Sequence, residues 1–195
     1  MTIILIGGTS HTGKSTLAAR LGDRLGIDVM STDKLGRHPG RPWPVVRPEV
    51  AEFYRSLSPE TIHWFLKVHH ENMRPRLGNL IETAPAAGLV LEGSALRPEY
   101  MAGWNATARV FLHADPAFLT DRIRISSQYD TLSTEARALV DVFTERSLRE
   151  NAEGLEAARR HDITLIDAAD GDTMARLAES LVSDHRRLAE EPAKD

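Results

Sequence analysis

Ile3-Ile4-Leu5-Ile6 runs through Gly7 into Gly8-Thr9-Ser10-His11-Thr12-Gly13-Lys14-Ser15. The apolar run has the character of a strand buried on both faces of a parallel sheet. Gly8 and Gly13, separated by four residues and followed by Lys14 and Ser15, complete the pattern of a phosphate-binding loop. The glycines let the backbone curl so that several N–H groups converge on an anion. The helix that follows adds its positive N-terminal end. Beyond Ser15, apolar residues fall at Leu17, Ala18, Leu21 and Leu25, the spacing of an amphipathic helix. Strand, glycine-rich loop and helix thus stand in the order that a phosphate cradle requires. Gly8, Thr9, Ser10, His11, Thr12, Gly13, Lys14, Ser15 and Thr16 form the expected cradle. Lys14 would reach the β- and γ-phosphates, and the Ser15 hydroxyl would bind Mg²⁺. The His11 side chain occupies a position the pattern leaves open and is expected to face solvent.

Composition narrows the setting. The 195 residues, 42% of them hydrophobic, are enough for one globular domain with a sizeable core. A net charge of −4 argues against a general nucleic-acid binder. The chain has no cysteine, which excludes a disulfide framework, a thiolate metal site and a cysteine nucleophile. No basic segment followed by a long apolar run opens the chain, and no apolar stretch is long enough to span a membrane. The expectation is a cytoplasmic protein with no membrane partner. Oligomeric state is not legible.

Further along, strand-like and helix-like segments alternate. Ile27–Met30, Leu89–Leu91, Ala108–Leu112 and Ile163–Ile166 read as four more short strands. The prolines between Gly36 and Pro48 forbid regular structure there. Helices are expected from about Glu49, from Ser58-Pro59-Glu60 towards Thr83 with a disturbance at Pro75, from Asp115-Pro116, from Ser133 to about Arg160, and from Gly171 to about Leu188. This is an α/β chain with a parallel sheet covered on both faces. In such sheets ligands lie at the carboxyl ends of the strands.

The complete loop motif, the Glu92-Gly93 pair after the third strand and the alternating organisation resemble the P-loop small-molecule kinases of the adenylate-kinase-like group. The opening segment and Glu92-Gly93 look most like the 2-phosphoglycerate-kinase-type and uridine-kinase-type members. The resemblance covers most of the chain in organisation, and only the loop is specific in sequence. It implies the P-loop NTPase fold with sheet order 2-3-1-4-5 and a small helical lid, ATP and Mg²⁺ as cofactors, and γ-phosphoryl transfer to a small acceptor. Residues 1–195 would form a single kinase domain, with an acceptor region at 33–85 and a lid at 115–135.

The resemblance also weights individual residues. Asp33, after the second strand, matches the Asp that orients or deprotonates the acceptor hydroxyl; it equally suits a turn or cap. Glu92 stands where the Walker B acid lies, as a Mg²⁺ or substrate ligand, although many such proteins carry Asp there; its plainer reading is a polar strand end. Arg122 and Arg124 fall on the lid helix, where an arginine would neutralise charge on the transferred group. Residues two apart face different sides of a helix, so one of them is expected at the site. Arg146 on the next helix is a third candidate. Arg37, Arg41 and Trp43, with His38, suit an anionic acceptor pocket on a stiff loop, and Arg97 would add to it; a rigid surface loop is the alternative. Asp167 to Gly171 would border the adenine.

The helix holding His63, Trp64, Phe65, Lys67, His69, His70 and Glu71 reads as a groove lining in which Trp64 and Phe65 pack. His69 has Met73 four residues on and His70 has Arg74, so no zinc site is expected. The competing function is a nucleotide-dependent switch, since Asp33-Lys34-Leu35-Gly36 fits an Asp-x-x-Gly pattern. No Asn-Lys-x-Asp guanine-reading motif accompanies it.

Overall fold

A computed structural model describes residues 1–36 and 38–190, with side chains through residue 185. The alternation of the opening strand sets the architecture. In β1 (Ile3–Gly8) every residue is buried, because the strand is central. Ile3 and Leu5 face one helical layer, and Ile4 and Ile6 face the other.

Five parallel strands form the sheet in the order β2-β3-β1-β4-β5. These are β2 (Asp28–Ser31), β3 (Leu89–Glu92), β4 (Ala108–His113) and β5 (Thr164–Asp167), with β1 in the middle. The order is the one the resemblance implies. Ile27 precedes the second strand rather than opening it; it is buried against the first helix instead. Register brings the functional ends together: Ser31 and Ile6 both lie opposite Glu92, Gly8 lies opposite Leu112, and His113 lies opposite Asp167.

Helix α1 (Lys14–Leu25) follows the loop directly. Gly13 precedes it in a left-handed conformation (φ 88°) that its missing side chain permits. On the sheet face of Ile4 and Ile6, α1 packs Leu17, Ala18 and Leu21 beside α7 (Gly171–Glu190). The opposite face is covered by α3 (Pro59–Glu82) and α6 (Thr134–Arg160), with the short α4 (Pro98–Met101). Ser58 and Ser133 cap their helices by accepting from the Thr61 and Ala136 amides, as Asp115 does from Ala117. Helix α3 runs unbroken through Pro75, against expectation. Pro75 is exposed, so water can take over the carbonyl it releases.

A third apolar cluster lies beyond the carboxyl ends of the strands. It joins α2 (Pro48–Ser56), α5 (Pro116–Ser127) and the first halves of α3 and α6 through Trp43, Tyr54, Ile62, Leu66, Leu119, Ile123 and Phe143. It is the platform on which the site is built. No helix among the described residues is long and apolar enough to cross a membrane.

Close approach of α6 to β4 depends on Gly154, where an added Cβ would sit 2.2 Å from the buried Phe111 ring. Gly154→Ala should therefore lower stability by about 1–3 kcal/mol through overpacking. A lowered urea midpoint with unchanged slope is the expected readout; an unchanged midpoint would show that α6 yields freely.

Candidate active site

The loop after β1 opens onto a cavity of about 310 Å³. One side is made by Ser10, His11, Gly13, Lys14, Ser15 and Thr16. The other is made by Asp33, His38, Gly40, Arg41, Phe53, Tyr54, Leu66 and His70, with Arg122, Phe143 and Arg146 from the helices α5 and α6. The cavity thus joins the phosphate loop to the segment expected to hold an acceptor.

Lys14 is buried, and its Nζ donates to the Thr9 carbonyl at 2.6 Å. Burial lowers its pKa, against the opposing pull of Glu92, Asp33 and Glu150. Ser15 Oγ donates to Glu92 Oε1 at 3.2 Å. A hydroxyl and a carboxylate meeting at the mouth of a phosphate loop are hard oxygen ligands of the kind Mg²⁺ takes. The pairing is built by register, since Glu92 ends the strand beside β1.

Asp33 lies in a short 3₁₀ turn (Thr32–Lys34) that follows β2 and lines the cavity. The His38 imidazole, 3.7 Å from its Oδ1, holds its carboxyl below the usual range, and the charge of Lys14 adds to this. Asp33 is therefore ionised at neutral pH.

Buried charge at the floor of the site is organised by Glu150. Its Oε2 accepts from Thr9 Oγ1 at 2.8 Å and from Arg146 Nη1 at 3.0 Å. Burial pushes this carboxyl up, but Arg146, His70, Thr9 and Lys14 outweigh burial and leave it low. Thr9 is fully buried, so its hydroxyl serves this carboxylate, while Thr12 Oγ1 donates to the Thr9 carbonyl. The phosphate loop is thereby tied to α6. Arg146 also stacks on Phe143, with its Cζ 4.2 Å from the ring centroid.

The candidate residues separate here. Arg122 reaches the cavity; Arg124 does not. Two helical positions turn the Arg124 guanidinium to the outer side of α5, where it lies over the Tyr129 ring at 4.9 Å. Arg41 lines the cavity, and Arg37 lies outside the described residues. Trp43 is buried behind the wall rather than in it: its ring meets Phe143 edge-on at 4.8 Å, and its Nε1 donates to Ser126. An indole of that size contributes more as core than at the surface. Arg97 is buried and held by Glu99 at 2.6 Å and faces Glu153 at 3.9 Å, so it does not enter the cavity. Trp64 is exposed, contrary to the packed role expected of it, because Ile62, His63, Leu66 and His70 take the inner face of α3; Phe65 does pack, against Phe53. No group of three or more His, Cys, Asp or Glu among the described residues is placed to hold a metal ion. His63 and Lys67 instead lie 3.0 and 3.2 Å from Glu153 across the α3–α6 groove.

His11 does not face solvent. Its ring is tilted against Trp43 with centroids 5.7 Å apart and meets Phe143 edge-on at 6.2 Å. Burial, followed by the charges of Arg41, Lys14, Arg122 and Arg146, lowers its pKa to about 4. Sequence reasoning passed over Phe53, Tyr54, Leu66 and Ser94, which also line the cavity, and Glu150 beneath it. The Arg146/Glu150 spacing of one helical turn was the available signal, but it reads equally as a solvated ion pair.

Comparison with solved structures places the fold among known ones. The chain is similar to a gluconokinase from Sinorhizobium meliloti 1021, at 18% identity over 97% of this chain and 93% of that one, with a TM-score of 0.52. It is similar to a shikimate kinase from Bacteroides thetaiotaomicron, at 20% identity over 97% and 99% of the two chains, with a TM-score of 0.50. A deoxyadenosine kinase from M. mycoides with bound dATP gives 14% identity, coverage of 93% and 100%, and a TM-score of 0.52. The chain has the P-loop kinase fold. No protein-family model matches it, and no curated protein matches its sequence.

His70, on the cavity wall, is buried, and burial is the largest cause of a pKa lowered to about 4. Between the ordinary value of 6.5 and about 4, the unfolded chain binds a proton that the folded chain excludes. Stability should therefore fall as pH drops through that window, by up to about 2 kcal/mol from this residue between about pH 7.5 and pH 5. Urea midpoints at those two pH values should differ less in His70→Gln than in the parent; equal losses would refute the assignment.

Proposed function

We propose that this protein is an ATP-dependent phosphotransferase that moves the γ-phosphoryl group to a hydroxyl, or a phosphate, of a small anionic metabolite. One observation carries the reading: a single cavity joins Lys14 and Ser15 of the phosphate loop to the ionised Asp33 and to Arg41, Arg122 and Arg146. A bare nucleotide-binding module or switch has no use for a wall of that kind.

In this reading Gly8 to Thr16 cradle the triphosphate through backbone N–H groups, and Lys14 adds a point charge at the β- and γ-phosphates. Ser15 and Glu92 would hold Mg²⁺, which neutralises charge on the phosphates when bound. Asp33 accepts the proton of the acceptor hydroxyl as its oxygen bonds to the γ-phosphorus and the bond from phosphorus to the ADP oxygen breaks. Arg122 stabilises the charge spreading over the transferred group. Residues 33–85 would hold the acceptor and 115–135 would form the lid within a single domain of residues 1–195. Asp167 to Gly171 would border the adenine. Arg41 and Arg146, beside the apolar Phe53, Tyr54 and Leu66, support an acceptor carrying an anionic group. The setting is cytoplasmic, without nucleic-acid or membrane partners.

The test is ADP formation from Mg·ATP across a panel of small hydroxyl compounds bearing carboxylate or phosphate groups. One or more should raise turnover well above the acceptor-free rate, and Lys14→Ala should abolish the increase. Asp33→Asn should lower kcat by about 10²–10⁴-fold while leaving ATP affinity near normal. A flat panel with slow, Lys14-dependent hydrolysis would favour a switch, and full kcat in Asp33→Asn would remove it as base.

A further inference from the structure

His11 carries more than its place in the loop requires. It is one of only three non-glycine residues among those described with positive φ, at 66°. A side chain there costs on the order of 1 kcal/mol that glycine would avoid. The ring is not turned to water to relieve the crowding. It packs against the touching rings of Trp43 and Phe143, and both of its nitrogens are buried without a hydrogen-bond partner. Arg146, stacked on the same Phe143 ring, is in a matching condition. Its Nη1 is fixed on Glu150, and its Nε is buried and unpartnered.

Buried polar groups without partners are rare, because each forfeits the hydrogen bonds it had in water. Two such groups mounted on one aromatic ring and lining one cavity mark a place built for a ligand. The chemistry of the place is an oxyanion's. Arg41, Arg122 and Lys14 line the same cavity and outnumber its carboxylates, Asp33 and Glu92, while Glu150, the carboxylate nearest Arg146, is occupied by Thr9 and Arg146 itself. Phe143 and Trp43 belong to the acceptor-side platform, so the His11 ring leans away from its own loop and towards that side.

We propose that His11 is a specificity-determining residue, whose imidazole, together with Arg146 Nε, holds a carboxylate or phosphate group carried by the acceptor. This rests on the phosphotransferase reading. It adds that the loop residue itself selects the acceptor: one N–H of a neutral imidazole donates to the oxyanion, and the guanidinium supplies the charge. Arg146 is kept in place by Glu150, and Glu150 by Thr9, so the same loop supports both halves of the oxyanion site.

The chain's three tryptophans allow a direct test. In a Trp64→Phe/Trp104→Phe background, Trp43 reports on the ring stacked against it. The protein is saturated with Mg²⁺ and a non-hydrolysable ATP analogue, which fills the γ-phosphate position, and then titrated with inorganic phosphate and, separately, with acetate. Saturable quenching or enhancement of Trp43 by one of these anions is expected. His11→Gly, which suits the left-handed backbone, should weaken that anion by about tenfold or more, and His11→Asn, which keeps a donor, by less. Affinity for the analogue should fall by a clearly smaller factor than affinity for the anion, because the cradle uses the backbone N–H of residue 11, which His11→Gly retains. Anion binding seen with ADP but lost with the analogue would place the group at the γ-phosphate and overturn the proposal. So would unchanged anion affinity in His11→Gly, or an equal loss of nucleotide affinity. Anion binding that behaves as expected while no acceptor raises ATP turnover would instead count against the phosphotransferase reading and, with it, the assignment to an acceptor.

Discussion

The buried carboxylate of Glu150 is the constraint on which the site depends. An ionised carboxylate away from water costs several kcal/mol unless it is paired. Here it is paired with Arg146 on its own helix and with the Thr9 hydroxyl on the phosphate loop. That arrangement is possible only because Gly154 lets α6 lie against Phe111 of β4. Asn151, next to Glu150, exchanges hydrogen bonds with both the amide and the carbonyl of Ala114, and so fastens the segment leading into α5. One helix turn therefore positions the phosphate loop, an arginine of the cavity and the root of the arm that brings Arg122.

Electrostatics at the site follow from the same burial. Lys14, Arg41, Arg122 and Arg146 converge on a cavity whose walls are partly aromatic. His11 and His70 remain neutral, because burial and the surrounding cations both oppose protonation. Asp33 is the exception: His38 beside it keeps it ionised. Hence an ionised carboxylate and several cations line one cavity, the arrangement on which the proposed phosphoryl transfer rests.

Several of these relations were legible in order along the chain and several were not. The apolar runs of β1, β3 and β4 announced themselves because strands inside a parallel sheet are continuous in hydrophobicity; β5, at the edge, was marked by the short run ending at Ile166. Ile27 misled by one position, since an apolar residue beneath a helix reads like the start of a strand. Pro75 misled because the exposed side of a long helix tolerates what its buried side would not. Arg122 and Arg124 could be recognised as alternatives, but which of them faced inward depended on the rotation of α5. Arg97 and Trp43 were the right types for an acceptor pocket. The structure gave the first to Glu99 and the second to the core.

By itself the sequence determined the phosphate loop, the α/β alternation and the placement of Asp33 and Glu92 at strand ends. Those features are local: each depends on residue spacing within one turn, one strand or one helix start. Only the tertiary structure decided that Glu150 supports the loop, that Arg146 joins the cavity while Arg97 and Arg124 do not, and that His11 packs against Trp43 and Phe143. Those outcomes depend on how helices far apart in the chain rotate and pack over the sheet. The shape of a buried core settles that packing, and no spacing along the chain encodes it.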